Sequence, residues 1–355
     1  MNEVVIVGGT RTPVGDFNGV LASKSPVDLG VIALKAALEK SGISADLIED
    51  VVCGHVGQSG APGNSARVIS LDSGCPVEST AVTVHQQCPS SMRAAEICSQ
   101  QIMLGKVEVG ATVGVESMTN TPYFLYGARK GYRLGDGETI KDGLMVGGLM
   151  DPWHNYHMGI TAENIAEKYS ISREEQDGLA LLSHRRACNA IKNGWFKDEI
   201  IPVEVINRKK GTLIVDTDEH PREDTSLESL AKLKPAFKKG GTVTAGNASG
   251  LNDGGSALIM MSAEKAKKLG IKPLAKVVSS ASAGVDPSIM GMGVVPAVRK
   301  ALKYGSFSSR TIIVYGWICF QVDLFFLEKC FQRAEDYVVA AQLGFIQFSF
   351  FGNTG

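Results

Sequence analysis

Histidine is scarce in this sequence, six in 355 residues, and none lies beyond His220. An excess of one charge is also missing, since 36 basic side chains stand against 37 acidic ones for a net charge of -1. That balance argues against a nucleic-acid partner, and the short run Arg208–Lys209–Lys210 reads as a solvated turn. Seven cysteines at irregular spacing give neither a disulfide framework nor a CxxC pair, so no metal site is expected. Buried, reduced thiols in a cytoplasmic protein are the ordinary expectation, with at most one of them chemically active. The start, Met-Asn-Glu-Val-Val-Ile-Val, offers no basic leader and no cleavable apolar segment. Thr311 to Leu327 is nearly apolar, but Gln321 and Asp323 interrupt it and it is short for a membrane span, so no membrane partner is expected.

What is present is ordinary for a globular protein: 44% apolar and 21% charged residues, in a length natural for two or three domains. The distribution is less ordinary. Of 40 glycines only five fall in the last 52 residues, which carry 13 aromatic side chains and no proline. Composition therefore breaks near residue 304.

Before that break the chain alternates strands and helices. Val4–Val7 reads as a strand running into Gly8–Gly9, and Ser25 caps a helix with Pro26 at its first position, Asp28 in its first turn and Gly42 at its end. Val51–Cys53 is a strand, Ala81–Val84 another, Ser90 to Leu104 an apolar-faced helix and Val109–Val115 a further strand. This predicts an α/β fold with a mostly parallel sheet. From about 117 to 245 long polar loops replace the alternation, broken by a helix from the capping box Ser172-Arg173-Glu174-Glu175 to Gly194. The alternation resumes with strands at Ala257–Ser262 and Ala275–Ser280 and a capped helix after Ser262.

Cys88 stands out. A thiol is a useful nucleophile only as thiolate, and a helix N-terminus favours that form through unpaired N–H groups and the helix dipole. Cys88 follows an apolar strand and precedes Pro89, expected at the first helical position, with Ser90 and Ser91 in the first turn. Spacing alone leaves an active thiol and an inert buried one about level here, whereas Cys53, Cys75, Cys98 and Cys188 read as buried and inert.

The residues around it settle the family expectation. Val84-His85-Gln86-Gln87-Cys88-Pro89-Ser90-Ser91 resembles the nucleophile motif of thiolases, close to V-N-x-x-C-x-S-G/S. Arg11-Thr12-Pro13-Val14-Gly15 and Gly114-Val115-Glu116-Ser117-Met118 followed by Pro122-Tyr123 resemble other thiolase segments. So do His157-Met158-Gly159-Ile160-Thr161-Ala162-Glu163-Asn164, Lys232 to Phe237, Gly241 to Gly254, and Ser282 to Pro296. The resemblance is collinear from residue 1 to about 303.

It implies a layered α/β fold of two similar halves with an inserted loop domain, the second half being incomplete. Residues 1–117, with a return strand near 247–250, would form the first half, 118–246 the loop domain covering coenzyme A, and 251–303 the start of the second half. The activity implied is acyl transfer between coenzyme A thioesters through an acylated Cys88, with acetyl-CoA, acyl-CoA and free coenzyme A as substrates, no tightly bound cofactor, and a homodimer or homotetramer. His157, Met158, Phe237, Ala245, Ser249 and Met290 would line the pantetheine channel, Arg222 would lie near the adenine nucleotide, and Ser229 would be a further coenzyme A contact. On their own, His157 reads equally as a satisfied core histidine, Met158 and Met290 as core fillers, and Asn247 and Ser249 as turn residues.

Three departures from the pattern stand out. Position 85 is His where relatives have Asn, and Pro follows the nucleophile. The third is larger. After Leu302 there is no N-E-A-F segment, no G-H-P-x-G segment with its activating histidine and no C-x-G-G segment; Cys319 and Cys330 lack the following glycines. The tail from about 304 is expected to be out of frame relative to a thiolase gene, which resequencing around the codon for Lys303 tests. The chain by itself is then expected to be inactive or severely impaired and prone to aggregate. Two rivals remain: a ketoacyl synthase, disfavoured by the long coenzyme A-type loop region, and a non-catalytic thiolase-like protein that binds coenzyme A thioesters or pairs with an intact subunit.

Overall fold

Alternate residues of most central strands pack into two different cores, and that alternation builds the molecule. The computed structural model describes residues 1–137, 139–207 and 211–305; the tail beyond 305 and the run Arg208–Lys210 lie outside them. The strands are β1 (Val4–Arg11), β2 (Gly15–Asp16), β3 (Asp50–Gly54), β4 (Thr80–Val84), β5 (Val109–Ser117), β6 (Tyr123–Phe124), β7 (Lys141–Asp142), β8 (Val203–Asn207), β9 (Gly211–Val215), β10 (Asn252–Ser262) and β11 (Ala275–Lys276). The helices are α1 (Pro26–Ser41), α2 (Ser65–Asp72), α3 (Ser90–Met103), α4 (Met158–Lys168), α5 (Arg173–Lys192), α6 (Leu227–Ala231), α7 (Ala263–Lys268) and α8 (Val294–Gly305).

The main sheet has the order β11-β1-β10-β5-β3-β4, with β2 paired to β10. Val5, Val7, Val51, Cys53, Val113, Ala257 and Ile259 face one core with α1 and α2. Val4, Ile6, Val52, Leu258 and Met260 face the other, where α3 presents Ala94, Cys98 and Ile102 at successive turns. Successive strand residues point to opposite faces, so burial on both sides requires the near-continuous apolar runs seen in the sequence.

Helix ends follow local chemistry. Ser25 accepts from the Asp28 N–H and Asp28 answers the Ser25 N–H, a reciprocal cap with Pro26 just inside, and Gly42 closes α1 at φ 68°. Ser172 and Glu175 make the same box on α5.

The structure corrects several expectations. β1 continues through Gly8 and Gly9 to Arg11, because both glycines pair with β10. The strand expected over Ala275–Ser280 is reduced to Ala275–Lys276. The sheet is mixed rather than mostly parallel: β3 pairs in parallel with β4 and β5, whereas β10 runs antiparallel between β1 and β5. The return strand expected near 247–250 is instead Asn252–Ser262, so residues assigned to the start of the second half complete the first sheet. Physically, the open slot between β1 and β5 supplies β10 with hydrogen bonds along both edges.

Candidate active site

Cys88 lies in the turn between β4 and α3, at the C-terminal edge of three parallel strands, the edge where α/β sheets place ligands. Its thiol is exposed. The turn holds Gln87 at φ 53°, a left-handed conformation uncommon for a residue with a side chain. Ser90 pins it: its hydroxyl accepts from the Gln86 N–H at 2.9 Å and donates to the Gln87 carbonyl. The Gln87 N–H in turn donates to His85 Nδ1 at 3.3 Å. Pro89 takes the capping position rather than the first helical one, and its carbonyl accepts from the Arg93 N–H. The left-handed residue moves the helix start one place on, leaving Cys88 just outside the positive end of α3. Gly54, ending β3, makes this approach possible, because a Cβ there would stand 2.3 Å from the Ser90–Ser91 peptide.

The other cysteines are of a different kind. Cys53 and Cys98 are buried and their thiols are held far above the usual range by burial, and Cys75 is buried and also shifted up. Cys188, expected to be buried, is half-exposed on α5, with its thiol also raised by partial burial.

Behind Cys88 the structure reveals two groups not singled out in the sequence. Glu116, at the end of β5, accepts from the Val56 N–H at 3.0 Å and the Gly57 N–H at 2.9 Å. Burial raises its carboxyl to about 7 against the pull of those two amides, and the charges of Cys88 and Asp253 push the same way. His55, the residue after β3, is 1% exposed and touches the Ser65 hydroxyl through Nδ1 at 2.9 Å. Its Nε2 stands 3.6 Å from Glu116 Oε1 and has no hydrogen bond. Burial, with the nearby His85, lowers its imidazole to about 4, so it is neutral at pH 7. The available signal for Glu116 was an acidic residue inside the apolar run of β5; for His55 the sequence offered none.

The remaining candidates lie in and beside the loop region. His157 caps α4, its Nδ1 accepting from the Gly159 N–H at 3.0 Å, which places the proton of a neutral ring on Nε2. Its ring stacks on Phe237 at 4.6 Å between centroids, and partial burial lowers its pKa. Phe237 lies so flat on α4 that a Cβ at Gly159 would fall 2.2 Å from the ring. Phe237, Ala248, Ile289 and Met292 pack on Ala162, Ile165, Ala166 and Val243, bringing the 241–250 and 287–293 segments to one face of α4. Met158 and Met290 are half-buried, Ser249 is half-buried and Ala245 is exposed. Arg222 and Ser229 are exposed and set apart near α5 and α6: the Arg222 N–H donates to His184 Nδ1, and Ser229 closes the cap of α6 with Ser226. The helix α4 itself went unread, although Ala162, Ile165 and Ala166 carry a helical spacing.

Among the described residues no group of three or more His, Cys, Asp or Glu is placed to hold a metal ion. No described helix is long and apolar enough to cross a membrane. What the Cys88 edge offers chemically is an exposed cysteine at a helix start, with a half-buried carboxyl and a buried, neutral imidazole nearby.

Residues 4–264 match the family model described as thiolase, N-terminal domain. The acetyl-CoA acetyltransferase of Syntrophomonas wolfei is 48% identical over 344 residues, spanning 96% of this chain and 83% of that protein. The solved structure of an acetyl-CoA acetyltransferase from the same organism superposes at a TM-score of 0.88 with 43% identity, covering 94% of this chain and 83% of that one. Human mitochondrial 3-ketoacyl-CoA thiolase superposes at 0.87 with 38% identity, covering 93% and 83%.

Proposed function

The chain belongs to the thiolase family, and from that premise we propose that it is an acetyl-CoA acetyltransferase of the 3-ketoacyl-CoA thiolase kind, with Cys88 as its nucleophile. The observation that carries this reading is the exposed Cys88 thiol at the start of α3, on the C-terminal edge of β3, β4 and β5. The Cys88 thiolate attacks the thioester carbonyl, the C–S bond to coenzyme A breaks, and the departing thiolate takes a proton. The acyl group then passes to a second nucleophile, either coenzyme A in thiolysis or the α-carbanion of acetyl-CoA in condensation, the latter needing a base and an oxyanion site. His157, Met158, Phe237, Ala245, Ser249 and Met290 form the pantetheine wall in this reading, and Arg222 and Ser229 flank the nucleotide. The stack of His157 on Phe237 supports that assignment for those two residues. The same reading places the protein in the cytoplasm, in fatty acid metabolism, as a homodimer or homotetramer whose loop domain spans 118–246.

Thiolysis of acetoacetyl-CoA by the full chain, beside Cys88→Ala, tests it. Coenzyme A-dependent turnover that vanishes in the variant is the expected result; turnover that survives it overturns the role of Cys88. A second reading, a chain that binds coenzyme A thioesters or pairs with an intact subunit without turning over, is favoured by one specific feature: no histidine follows His220. It predicts a stable acyl adduct on Cys88 with no release of product, read by mass spectrometry of the intact protein.

A further inference from the structure

Three consecutive residues beyond β9 reach back to the segment that follows β1. Asp218 takes the Arg11 guanidinium and accepts from the Val14 N–H at 2.9 Å. The Glu219 N–H donates to the Val14 carbonyl, and the Glu219 carboxylate accepts from the Asp16 N–H at 2.9 Å and the Val20 N–H at 3.0 Å. His220 completes the row, its Nδ1 standing 2.6 Å from Asp16 Oδ1. A carboxylate only accepts, so the ring carries a proton on Nδ1.

His220 differs from its two neighbours in what else it touches. Its ring lies against Gly250, where a Cβ would stand 2.8 Å from His220 Nδ1 and closer still to Cε1, so a glycine is needed to admit it. Asp16 is itself held: it stands opposite Asn252 in the pairing of β2 with β10, and Asn252 Nδ2 donates to the Gly15 carbonyl at 3.1 Å and reaches Asp16 Oδ1 at 3.4 Å. The imidazole is thus set between an acceptor fixed on the sheet and the turn that carries Ser249. It also stands 6.2 Å, between ring centroids, from His184, whose Nδ1 accepts from the Arg222 N–H. The side chains of His220 and Asp16 are 26% and 33% exposed, and pairs so open to water contribute little to global stability. What the contact does is place the turn.

We propose that His220 is a positioning residue for coenzyme A: its Nδ1–H bond to Asp16 fixes the imidazole on Gly250, and the imidazole holds the adjoining Ser249 in place for the pantetheine arm. A turn ordered in advance spares the ligand the entropic cost of ordering it. The inference rests on the reading that the 241–250 segment contacts coenzyme A.

Calorimetric titration of the full-length protein with coenzyme A tests it, on wild type, His220→Asn and His220→Phe. Alkylation of Cys88 by iodoacetamide serves as the control on the other region. Asn offers an N–H near the place of Nδ1, whereas Phe keeps a ring over Gly250 and has no donor. His220→Asn should bind within about twofold of wild type and His220→Phe about tenfold more weakly, the loss expected of one hydrogen bond to a charged group. Alkylation should be unchanged in both. Plain packing predicts the opposite order, and that result, or wild-type affinity in His220→Phe, overturns the proposal alone. Asp16→Ala should weaken binding to a similar extent and, combined with His220→Phe, no further; additive losses overturn it as well. Should His220→Phe fail to fold, His220→Ala takes its place with the same expectation. Wild-type protein that binds no coenzyme A overturns the proposal together with the reading of the 241–250 segment.

Discussion

Two regions carry the candidate site residues, and they are held by different forces. The Cys88 turn sits on a sheet whose two faces are apolar, and its placement follows from strand register, a short polar turn and the closeness allowed at Gly54. The 241–250 segment, which carries Ala245 and Ser249, hangs on buried polar groups. Glu163, 3% exposed on α4, accepts from the Thr242 N–H, the Thr242 hydroxyl at 3.2 Å and the Val243 N–H at 2.8 Å. Asn247 donates to Asp177 at 2.9 Å and to the Thr242 carbonyl at 3.1 Å. Apolar packing tolerates conservative exchange, whereas a buried polar network fails when one partner is lost. The nucleophile region should therefore survive many substitutions, and the loop segment few.

Arg11 is one of several residues that join the sheet to the loop region, and breaking it gives the largest expected effect. Arg11, ending β1 and 3% exposed, reaches Glu199 at 2.8 Å and both oxygens of Asp218 at 2.7 and 3.0 Å. Its guanidinium also covers Phe196 at 5.3 Å. The two carboxylates raise its pKa against the opposing effect of burial, the largest single influence. Arg11→Met should cost about 3–5 kcal/mol by leaving two carboxylates without their cation. Urea denaturation measures it, and a loss below about 1 kcal/mol would mean the two regions are joined by something else.

Within the loop region, Glu163→Gln replaces an acceptor of backbone N–H groups by one that must point an NH2 at a donor. A loss of about 2 kcal/mol is expected, along with weaker coenzyme A binding and an unchanged rate of Cys88 alkylation. A changed alkylation rate would show that the regions are not separable in the way their contacts suggest.

The pH dependence sharpens the contrast on the other side. His55, lowered to about 4, takes up a proton on unfolding, so its contribution falls as pH drops from about 6.5 to 4. Glu116, raised to about 7, has the opposite sign: its folded form binds the proton first, so stability from this group is present below its ordinary carboxyl range and lost as pH rises through 7. The two partly cancel between pH 4.5 and 6.5. Glu116→Gln removes one of them, and stability between pH 7 and 5 should then fall more steeply with acid, by roughly 2 kcal/mol. Denaturation at the two pH values checks the slope, and a shallower acid limb would contradict the assignment.

The sequence was informative where chemistry is local. Ser25 with Pro26 and Asp28, the Ser172–Glu175 box, and the strand–turn–helix around Cys88 are all short-range patterns, and each appears in the structure. It was silent where pairing decides. Nothing in the order of residues says that β10 inserts between β1 and β5, and Gly254 and Gly255 carry no strand signal of their own. Nor can Glu116 be related to His55 before β3 and β5 are known to be in register, with Gly54 opposite Gly114. The loop-region helix α4 was obscured by its own polar residues, since Thr161 and Glu163 face inward beside Ala162 and Ile165.

Gly159 provides the smallest and most discriminating test of the same contrast. It lies in the first turn of α4, and a methyl there would fall 2.2 Å from the Phe237 ring. Gly159→Ala gains up to about 1 kcal/mol of helix propensity, which offsets part of the cost of turning Phe237 aside. Net stability should therefore change by no more than about 1 kcal/mol, while the stack between His157 and Phe237 is lost. If those two side chains form the pantetheine wall, coenzyme A affinity falls about tenfold, a change of about 1.4 kcal/mol, with Cys88 alkylation unaffected. Calorimetric titration of coenzyme A reads the first and iodoacetamide the second. Unchanged affinity with a displaced ring would return His157 and Phe237 to plain packing of the α4 core.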